Sequence, residues 1–152
     1  MIDEAILEKA AKAIISAETL ALACHVGPDG DALGSMLGLG IAAQNAGKKV
    51  VASFGTPFSV PASLAFLPTS LLVPPQDFPP EPSTMIVFDA GSPDRLGELA
   101  ANAARAGTTI VIDHHVTNEG FGDIAIVDGE AAGTGELVAH LLRVLGWPLT
   151  PE

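Results

Sequence analysis

Basic side chains are scarce in this sequence, and their scarcity excludes one large class of partners. The 152 residues include 7 Lys and Arg against 18 Asp and Glu, which gives a formal net charge of -11 at pH 7. A protein that binds duplex DNA needs a basic face, and the sequence has no basic cluster beyond the pair Lys48 and Lys49. Duplex DNA is therefore excluded as a partner, and bound metal ions are one way to neutralise the surplus of acid.

Cysteine and long apolar runs are also missing or nearly so. The single cysteine, Cys24, excludes an internal disulfide and suits a reducing compartment. No apolar stretch reaches the roughly 18 residues that a membrane span needs. The N-terminus is acidic from Asp3, unlike a secretory signal. We therefore predict a cytoplasmic protein that does not bind membranes.

The apolar residues that are present favour one compact α/β domain over residues 1–152. They make up 48% of the chain, they are mostly Ala, Leu, Ile and Val, and the chain contains no Tyr and one Trp. Strand and helix patterns alternate along the sequence, which is typical of a parallel sheet with crossover helices. We predict a doubly wound, mostly parallel sheet with helices on both faces. Helices are predicted at 3–18, 31–47, 92–107 and 134–146, and main strands at 19–26, 48–55, 83–91, 108–115 and 123–128.

The segment between the second and third main strands is less regular. The sequence predicts a short helix at 63–67 and a short strand at 70–74. The proline-rich stretch from Pro74 to Pro82 predicts an extended surface loop.

Charged residues stand at the ends of three predicted strands whose interiors carry no charge. The first strand ends at His25 and continues into Asp29 and Asp31, a later one ends at Asp89, and another ends in the triplet 113–115, Asp-His-His. In sheets of this kind, ligands bind beyond the carboxyl ends of the strands. Each piece alone has an ordinary interpretation as a turn or a loop cap. Three such pieces at one sheet edge indicate a site.

The combination of carboxylates and imidazoles indicates a metal centre. This ligand set suits Mn²⁺, Fe²⁺ or Zn²⁺ better than Mg²⁺ or Ca²⁺, which prefer oxygen ligands alone. So many carboxylates in one crevice would repel one another unless cations held them. Two cations about 3.5–4 Å apart can share one carboxylate and activate a water molecule near neutral pH. Asp89, alone on its strand end, is the natural bridge, and hydrolysis of a phosphate ester is the chemistry that this serves best.

Four motifs resemble those of the DHH phosphoesterases, and the likeness covers essentially the whole chain. The motifs are HVGPDGDALGS at 25–35, FDAGSPDRLG at 88–97, DHH at 113–115 and VDGEAAGTGELVAHLL at 127–142. Within this family the chain is most similar to the nanoRNase and pAp-phosphatase branch. Members of that branch hydrolyse short oligoribonucleotides, 3′-phosphoadenosine 5′-phosphate (pAp) and linear or cyclic dinucleotides. The resemblance implies a Rossmann-like DHH domain and a small nucleotide or short single-stranded RNA as substrate.

The resemblance also implies a role for each residue of the cluster. His25, Asp29 and Asp89 would bind one Mn²⁺, and Asp31, Asp89 and His114 would bind the second. His115 would face the substrate phosphate, and Asp113 would orient the histidines. These two residues, Asp113 and His115, are the expected catalytic pair. Mn²⁺ is the expected cofactor, and other divalent cations remain open.

One departure from the family pattern is large. Members usually continue to an Asp-Thr-Gly that supplies the second metal with its last aspartate, and then to a further domain that grips the substrate. The sequence ends at Glu152, before both. We therefore expect residues 1–152 to be the N-terminal half of a phosphoesterase, either excised or naturally short, with weak activity or none by itself. A homodimer of the longer form is compatible with the resemblance.

Four further residues are candidates at the edge of this site. Arg95 is placed to contact a substrate phosphate, with a surface ion pair as the alternative. Thr134 and Gly135, at the predicted N-terminus of the last helix, can donate to a phosphate. Asp128 either replaces the missing metal ligand or caps that helix.

The sequence therefore supports two functions from different classes. The first is a manganese-dependent phosphodiesterase or phosphomonoesterase that acts on small nucleotides. The alternative is a catalytically incomplete metal- or nucleotide-binding module. Pyrophosphate hydrolysis is disfavoured because the loop after Asp89, GSPDRLG, resembles the nucleotide-hydrolysing branch.

Overall fold

Residues 2–148 are described in a computed structural model of the chain, and they form a five-stranded sheet flanked by helices. All four strand pairs are parallel, and the strand order is β2-β1-β3-β4-β5. The predicted α/β fold is thus confirmed. The strands are β1 (Thr19–Cys24), β2 (Lys49–Phe54), β3 (Thr84–Phe88), β4 (Thr108–Asp113) and β5 (Ile124–Val127), and the helices are α1 (Glu4–Ser16), α2 (Gly30–Asn45), α3 (Ala100–Arg105) and α4 (Thr134–Leu145).

Alternation along the buried strands divides the core between the two faces of the sheet. Leu22 and Cys24 of β1 pack with α1, α2 and α4 on one face. Ala21 and Ala23 of the same strand pack on the other face with Leu96 and its neighbours. Because both faces are covered, the strands are apolar at nearly every position, as parallel strands in doubly wound folds are.

The strand order reverses between β1 and β3, and this reversal opens a crevice at the carboxyl edge. The chain leaves β1 through α2 on one face of the sheet, and it leaves β3 through the 3₁₀ segment Pro93–Leu99 on the other face. Ligands of doubly wound proteins bind at such a point of reversal. His25 follows β1 directly and Asp89 follows β3 directly, so both flank the crevice.

Helix boundaries follow local signals in α1, α2 and α4. The carboxylate of Asp3 accepts a hydrogen bond from the amide of Ala5 at the start of α1 (2.9 Å), and the carboxylate of Asp29 accepts one from Ala32 at the start of α2 (2.9 Å). Gly146 ends α4 in the left-handed conformation, with φ of 73°. Both carboxylate caps satisfy amides that a helix otherwise leaves without partners.

The predicted helix at 92–107 is wrong in one respect, because the chain breaks at Gly97. The segment Pro93–Leu99 is 3₁₀ and only Ala100–Arg105 is α-helical, with φ of 59° and ψ of -132° at Gly97. A Cβ atom at Gly97 would lie 2.8 Å from Cγ2 of Val26. The chain thus requires glycine where it passes Val26, which follows β1 and is distant in sequence.

The irregular segment before β3 also differs from expectation. Residues 70–74 form a single parallel bridge, between Leu72 and Ala52, rather than a strand. The predicted short helix is a 3₁₀ turn at Ala62–Leu64. The predicted surface loop contains a 3₁₀ turn and buries Pro75 and Phe78, because Phe78 joins the core on the Ala21 face.

None of the helices within residues 2–148 is both long enough and apolar enough to cross a membrane.

Candidate metal centre

Side chains from three strand ends meet at Asp89. The Nε2 atom of His25 lies 3.4 Å from Oδ2 of Asp89, and Nε2 of His114 lies 3.4 Å from Oδ1 of the same carboxylate. Asp29 and Asp31 approach from the start of α2, at 3.8 Å from His25 and 3.3 Å from His114 respectively. The structure thus brings together all five residues to which the sequence assigned metal binding.

Asp89 is held in an uncommon backbone conformation. Its φ is 59°, and within residues 2–148 it is the one residue other than glycine with a positive φ. Side chains with a Cβ rarely adopt this conformation, although Asp and Asn tolerate it better than most. The side chain is 3% exposed. A buried carboxylate on strained backbone at a crevice is a feature that clusters at functional sites.

Two groups of possible metal ligands share Asp89. In the first, His25, Asp29 and Asp89 each offer an atom within 4.8 Å of the others. Asp89, His114 and His115 form the second group by the same criterion. Asp31 joins the second group through His114. One buried carboxylate therefore stands between two sets of donors.

The donor separations in this cluster fit a shared cation better than direct hydrogen bonds. Hydrogen bonds between nitrogen and oxygen are about 2.7–3.2 Å long, whereas three of the contacts, His25–Asp89, His114–Asp89 and His114–Asp31, measure 3.3–3.4 Å. Two ligand atoms that are each about 2.1 Å from one ion are separated by roughly 3–4 Å. The residues present thus fit a divalent metal in both chemistry and spacing.

Burial and nearby charges shift the pKa values of Cys24 and His25 at the end of β1. The contact with Asp89 raises the pKa of His25, and the bond between its Nδ1 and the carbonyl oxygen of Val26 (2.8 Å) adds to this, while burial opposes it. Burial also raises the pKa of the Cys24 thiol, and the negative charge of Asp89 contributes. Cys24 is therefore a neutral core residue, as its position on the strand predicts.

Asp113 contacts the second ligand group through His115. Asp113 is fully buried, and its Oδ1 lies 2.5 Å from Nδ1 of His115, whose side chain is 46% exposed. The other oxygen, Oδ2, accepts a hydrogen bond from Nδ2 of Asn118 (2.8 Å). Asp113 thus contacts His115, whereas the resemblance assigned it to both histidines.

Asn118 was missed at the sequence level. Besides Asp113, its Nδ2 donates to the carbonyl oxygen of Ala90 (3.3 Å), and its Oδ1 accepts from the amide of Gly120 (2.6 Å). The only local signal is an Asn near a Gly after a strand, which usually marks a turn. Its contact with the buried carboxylate depends on how the loop after β4 folds back.

Arg95 lines a small cleft next to the cluster. The cleft has a volume of about 260 Å³, and its walls include Asp89, Arg95 and His115. The backbone of Arg95 is fixed because its carbonyl oxygen accepts from the amide of Val26 (2.9 Å). Arg95, for which the sequence predicts a phosphate contact, therefore lies beside the space that a group bound at Asp89 would occupy.

Thr134 and Gly135 are engaged differently from the sequence prediction. The amides of Thr134 and Gly135 donate to the two carboxylate oxygens of Asp31, each at 3.0 Å. The hydroxyl of Thr134 donates to Oδ1 of Asp89 (2.9 Å). These donors were assigned to a substrate phosphate, and in the structure carboxylates of the cluster already occupy them.

Asp128 serves the turn before α4. Its Oδ1 accepts from the amide of Glu130 (2.9 Å), which lowers the pKa of the Asp128 carboxyl. The residue at the N-cap position of α4 is Gly133 rather than Asp128. Neither of the two ligand groups found within residues 2–148 includes Asp128.

A carboxylate and histidine cluster at the carboxyl edge of a doubly wound parallel sheet defines a class of α/β proteins with a candidate two-metal centre. Comparison with known families identifies one family within this class. The sequence model of the DHH family, N-terminal domain, matches residues 19–150. The chain therefore belongs to the DHH family.

Individual relatives agree with this assignment. The chain is 37% identical over 135 residues to the bifunctional oligoribonuclease and PAP phosphatase NrnA of Thermus thermophilus, and the match covers 86% of this chain and 38% of the relative. It is 30% identical over 139 residues to the protein of the same name from Bacillus subtilis, covering 89% of this chain and 42% of that protein.

A solved structure supports the fold. The crystal structure of an exopolyphosphatase-related protein from Bacteroides fragilis superposes with a TM-score of 0.86 at 30% identity, and the match covers 96% of this chain and 45% of that one. The chain thus spans less than half the length of each of these three relatives.

Proposed function

We propose that this protein is a phosphoesterase that uses two divalent cations to hydrolyse short oligoribonucleotides, pAp and linear or cyclic dinucleotides. The observation that carries the proposal is the position of Asp89, whose two carboxylate oxygens each lie 3.4 Å from a different histidine. A buried carboxylate with imidazole nitrogens on both sides fits a ligand shared by two cations. Two relatives named as oligoribonuclease and PAP phosphatase point to the substrate class.

Each cation position takes donors of mixed type. His25, Asp29 and Asp89 would hold the first ion, and Asp31, Asp89 and His114 would hold the second. Because each set includes a nitrogen donor, Mn²⁺ or a similar transition-metal ion suits the site better than Mg²⁺. When bound, two cations neutralise the charge on the phosphate and lower the pKa of the attacking water.

His115 and Asp113 serve the substrate rather than the metal. Asp113 engages Nδ1 of His115, whose side chain is half-exposed, which leaves Nε2 as the ring nitrogen for a substrate. A nitrogen in that position can exchange a proton with a substrate oxygen, since the hydrogen bond at Nδ1 fixes the tautomer. Asp113 keeps the ring oriented while the substrate binds.

Arg95 supplies positive charge to an acidic protein. With a net charge of -11, the chain as a whole repels a phosphate. Arg95 lies beside Asp89 and His115 in the 260 Å³ cleft. A guanidinium group there can bind two phosphate oxygens at once, so we assign Arg95 to a phosphate of the nucleotide.

Metal binding and hydrolysis test this proposal together. After removal of bound metal with a chelator, Mn²⁺ is titrated into the chain by calorimetry, and release of phosphate from pAp and of AMP from pApA is then measured. We expect two bound ions and slow hydrolysis that Asp89→Asn abolishes. A chain that binds no divalent cation would overturn the proposal.

The alternative function predicts a different outcome of the same assay. A metal- or nucleotide-binding module would bind Mn²⁺ and pAp but would release no product above the level of Asp89→Asn. Arg95→Gln separates the two further, because in the phosphoesterase it raises KM for pAp while the two ions still bind.

A further inference from the structure

The first turn of α4 contacts two candidate ligands that come from other parts of the chain. We call Gly133, Thr134 and Gly135 the α4 cradle. Its amides at Thr134 and Gly135 donate to Oδ2 and Oδ1 of Asp31, and its one hydroxyl donates to Oδ1 of Asp89. Asp31 and Asp89 follow different strands, β1 and β3. The cradle therefore joins the start of α2, which contains Asp31, to the residue that follows β3, Asp89.

The backbone of the cradle is shaped around the carboxylate of Asp31. A Cβ atom added at Gly133 would lie 3.0–3.2 Å from all three atoms of that carboxylate group. The same addition at Gly135 would meet its nearest atoms at 3.6 Å and 3.7 Å, which is ordinary van der Waals contact. A side chain at position 133 would thus displace Asp31, and glycine at this position is explained by the approach of the carboxylate.

The hydroxyl of Thr134 selects one oxygen of Asp89. It bonds to Oδ1, which is the oxygen that faces His114 at 3.4 Å, whereas Oδ2 faces His25. His114 in turn lies 3.3 Å from Oδ2 of Asp31. Every contact of the cradle is therefore made on the Asp31 and His114 side of the cluster, and none of the contacts described for residues 2–148 links it to His25 or Asp29.

We infer that the α4 cradle, through the Thr134 hydroxyl, is a positioning device for the second cation position, formed by Asp31, Asp89 and His114. This inference rests on the proposed two-cation function. The side chain of Thr134 is fully buried, so its hydrogen bond is shielded from water and holds Asp89 in one rotamer. Groups that orient metal ligands in this way commonly change metal affinity by about 10–100-fold when they are removed.

The test removes the hydroxyl at constant shape. Thr134→Val deletes the donor to Asp89, and Thr134→Ser keeps it. Mn²⁺ binding to the metal-free chain is followed by calorimetry, and low-temperature electron paramagnetic resonance reports whether two ions are coupled. We expect Thr134→Val to weaken the second ion about tenfold or more and to reduce the coupled signal, with the first ion unchanged. Thr134→Ser should restore both.

Thr109→Val is the matched control. Thr109 is also buried, and its hydroxyl also makes one hydrogen bond, to the carbonyl oxygen of Ala103 (3.2 Å) at the opposite edge of the sheet. Its loss changes stability by a similar mechanism without contact with the cluster. We therefore expect Thr109→Val to lower the melting temperature and to bind both ions as the original chain does.

A second pair of variants tests the cradle if Thr134→Val does not fold. Gly133→Ala places a methyl group against Asp31 and should selectively weaken the second ion. Gly38→Ala, in α2, is the control, because the added carbon would have no atom within 4 Å apart from its chain neighbours and the backbone of its own helix. The inference alone is overturned if the original chain binds two ions and Thr134→Val binds both with the same affinity. If Thr134→Val does not fold, the same result with Gly133→Ala overturns it. An original chain that binds no ion would overturn the proposed function and this inference with it.

Discussion

Cavities lie at both the carboxyl and the amino edge of the sheet, but the polar groups around them differ. The amino edge contains two cavities of about 370 and 440 Å³, both larger than the 260 Å³ cleft at the carboxyl edge. Hydroxyl groups such as those of Thr19, Thr84 and Thr108 line the amino-edge cavities. Neither ligand group lies at that edge. Cavity size alone would therefore point away from the candidate metal centre.

At the amino edge, a charged side chain caps the end of a helix and does not belong to a cluster of charged groups. The ammonium group of Lys48 donates to the carbonyl oxygens of Ile15 and Ala17, at 2.6 Å each, where α1 ends. These carbonyls lack partners within the helix. At the carboxyl edge, by contrast, buried Asp89 lies among histidines and other carboxylates. The candidate metal centre is therefore distinguished by its cluster of carboxylates and histidines and not by the size of its cavity.

The largest expected effect comes from Asp89→Asn at the carboxyl edge. Asparagine tolerates the positive φ of this position, so the backbone is preserved while the shared charge is lost. At 100 times the dissociation constant, Mn²⁺ should stabilise the original chain by about 2.7 kcal/mol. We expect the variant to show no such shift in a thermal melt at increasing Mn²⁺.

Glu81→Gln is the control for this experiment, because it removes a carboxylate from the wall of an amino-edge cavity. It should leave the Mn²⁺ shift intact. A shift that persists in Asp89→Asn would show that the two ligand groups do not share this residue.

Two asparagines allow the edges to be compared directly. Asn118 donates to the fully buried carboxylate of Asp113, whereas Asn102 donates to the carbonyl oxygen of Pro79 (2.8 Å), which lines an amino-edge cavity. Removing a partner from a buried charged group costs about 1–3 kcal/mol or more. We expect Asn118→Ala to lower the free energy of unfolding by that amount.

Asn102→Ala is the variant with which Asn118→Ala is compared. Because its hydrogen bond is neutral, we expect the free energy of unfolding to fall by only about 0.5–1.5 kcal/mol. Denaturant unfolding of both variants measures the difference. Equal losses would mean that the Asp113 carboxylate does not depend on Asn118.

The carboxyl edge was more predictable from sequence than the contacts that support it. Apolar runs identify the strands, and the rule that carboxyl ends of parallel strands meet at one edge brings His25, Asp89 and His114 together. The roles of Asn118 and Thr134 could not be read in this way. Asn118 reaches Asp113 because the loop after β4 folds back, and Thr134 reaches Asp89 at the end of β3. Local patterns of a loop or a helix start contain no information on either contact.

The same limit explains the misplaced boundaries. The helix predicted at 92–107 has a good start signal, since Ser92 and Pro93 occupy the expected first positions. It breaks at Gly97, which has a positive φ and lies against Val26, a residue that follows β1. A weak apolar pattern at 70–74 predicts a strand, but only Leu72 pairs with β2, through a single bridge. Nonlocal packing decides both outcomes.

Two buried serines test the comparison between a hydroxyl that serves the cluster and one that does not. Within residues 2–148, Ser53 on β2 is fully buried and its Oγ has no hydrogen-bond partner, whereas Ser35 donates to Oδ1 of Asp31 (3.4 Å). A buried polar group without a partner destabilises a protein. We expect Ser53→Ala to raise the free energy of unfolding by up to about 1 kcal/mol.

Ser35→Ala should have the opposite sign, because Asp31 loses a donor. Denaturant unfolding in the absence of metal checks both variants. A clear loss of stability in Ser53→Ala would mean that its hydroxyl has a favourable interaction in solution.

The smallest expected effect lies at the outer part of the carboxyl edge, where Glu98 holds the loop after β2. Its Oε1 accepts from the amide (2.6 Å) and the hydroxyl (2.9 Å) of Thr56, and these bonds lower the pKa of the Glu98 carboxyl. Because the folded-state pKa is below the unfolded one, the charged form adds stability above the unfolded pKa, and this contribution is lost as the pH falls through the folded value. Glu98→Gln should therefore melt slightly below the original chain at pH 7, and the two should melt together once the pH lies below the folded-state pKa of Glu98. Thermal melts across this range, with Glu81→Gln as a charge-matched control, measure the difference. A gap of constant size at every pH would mean that the charge of Glu98 is not the source of the effect.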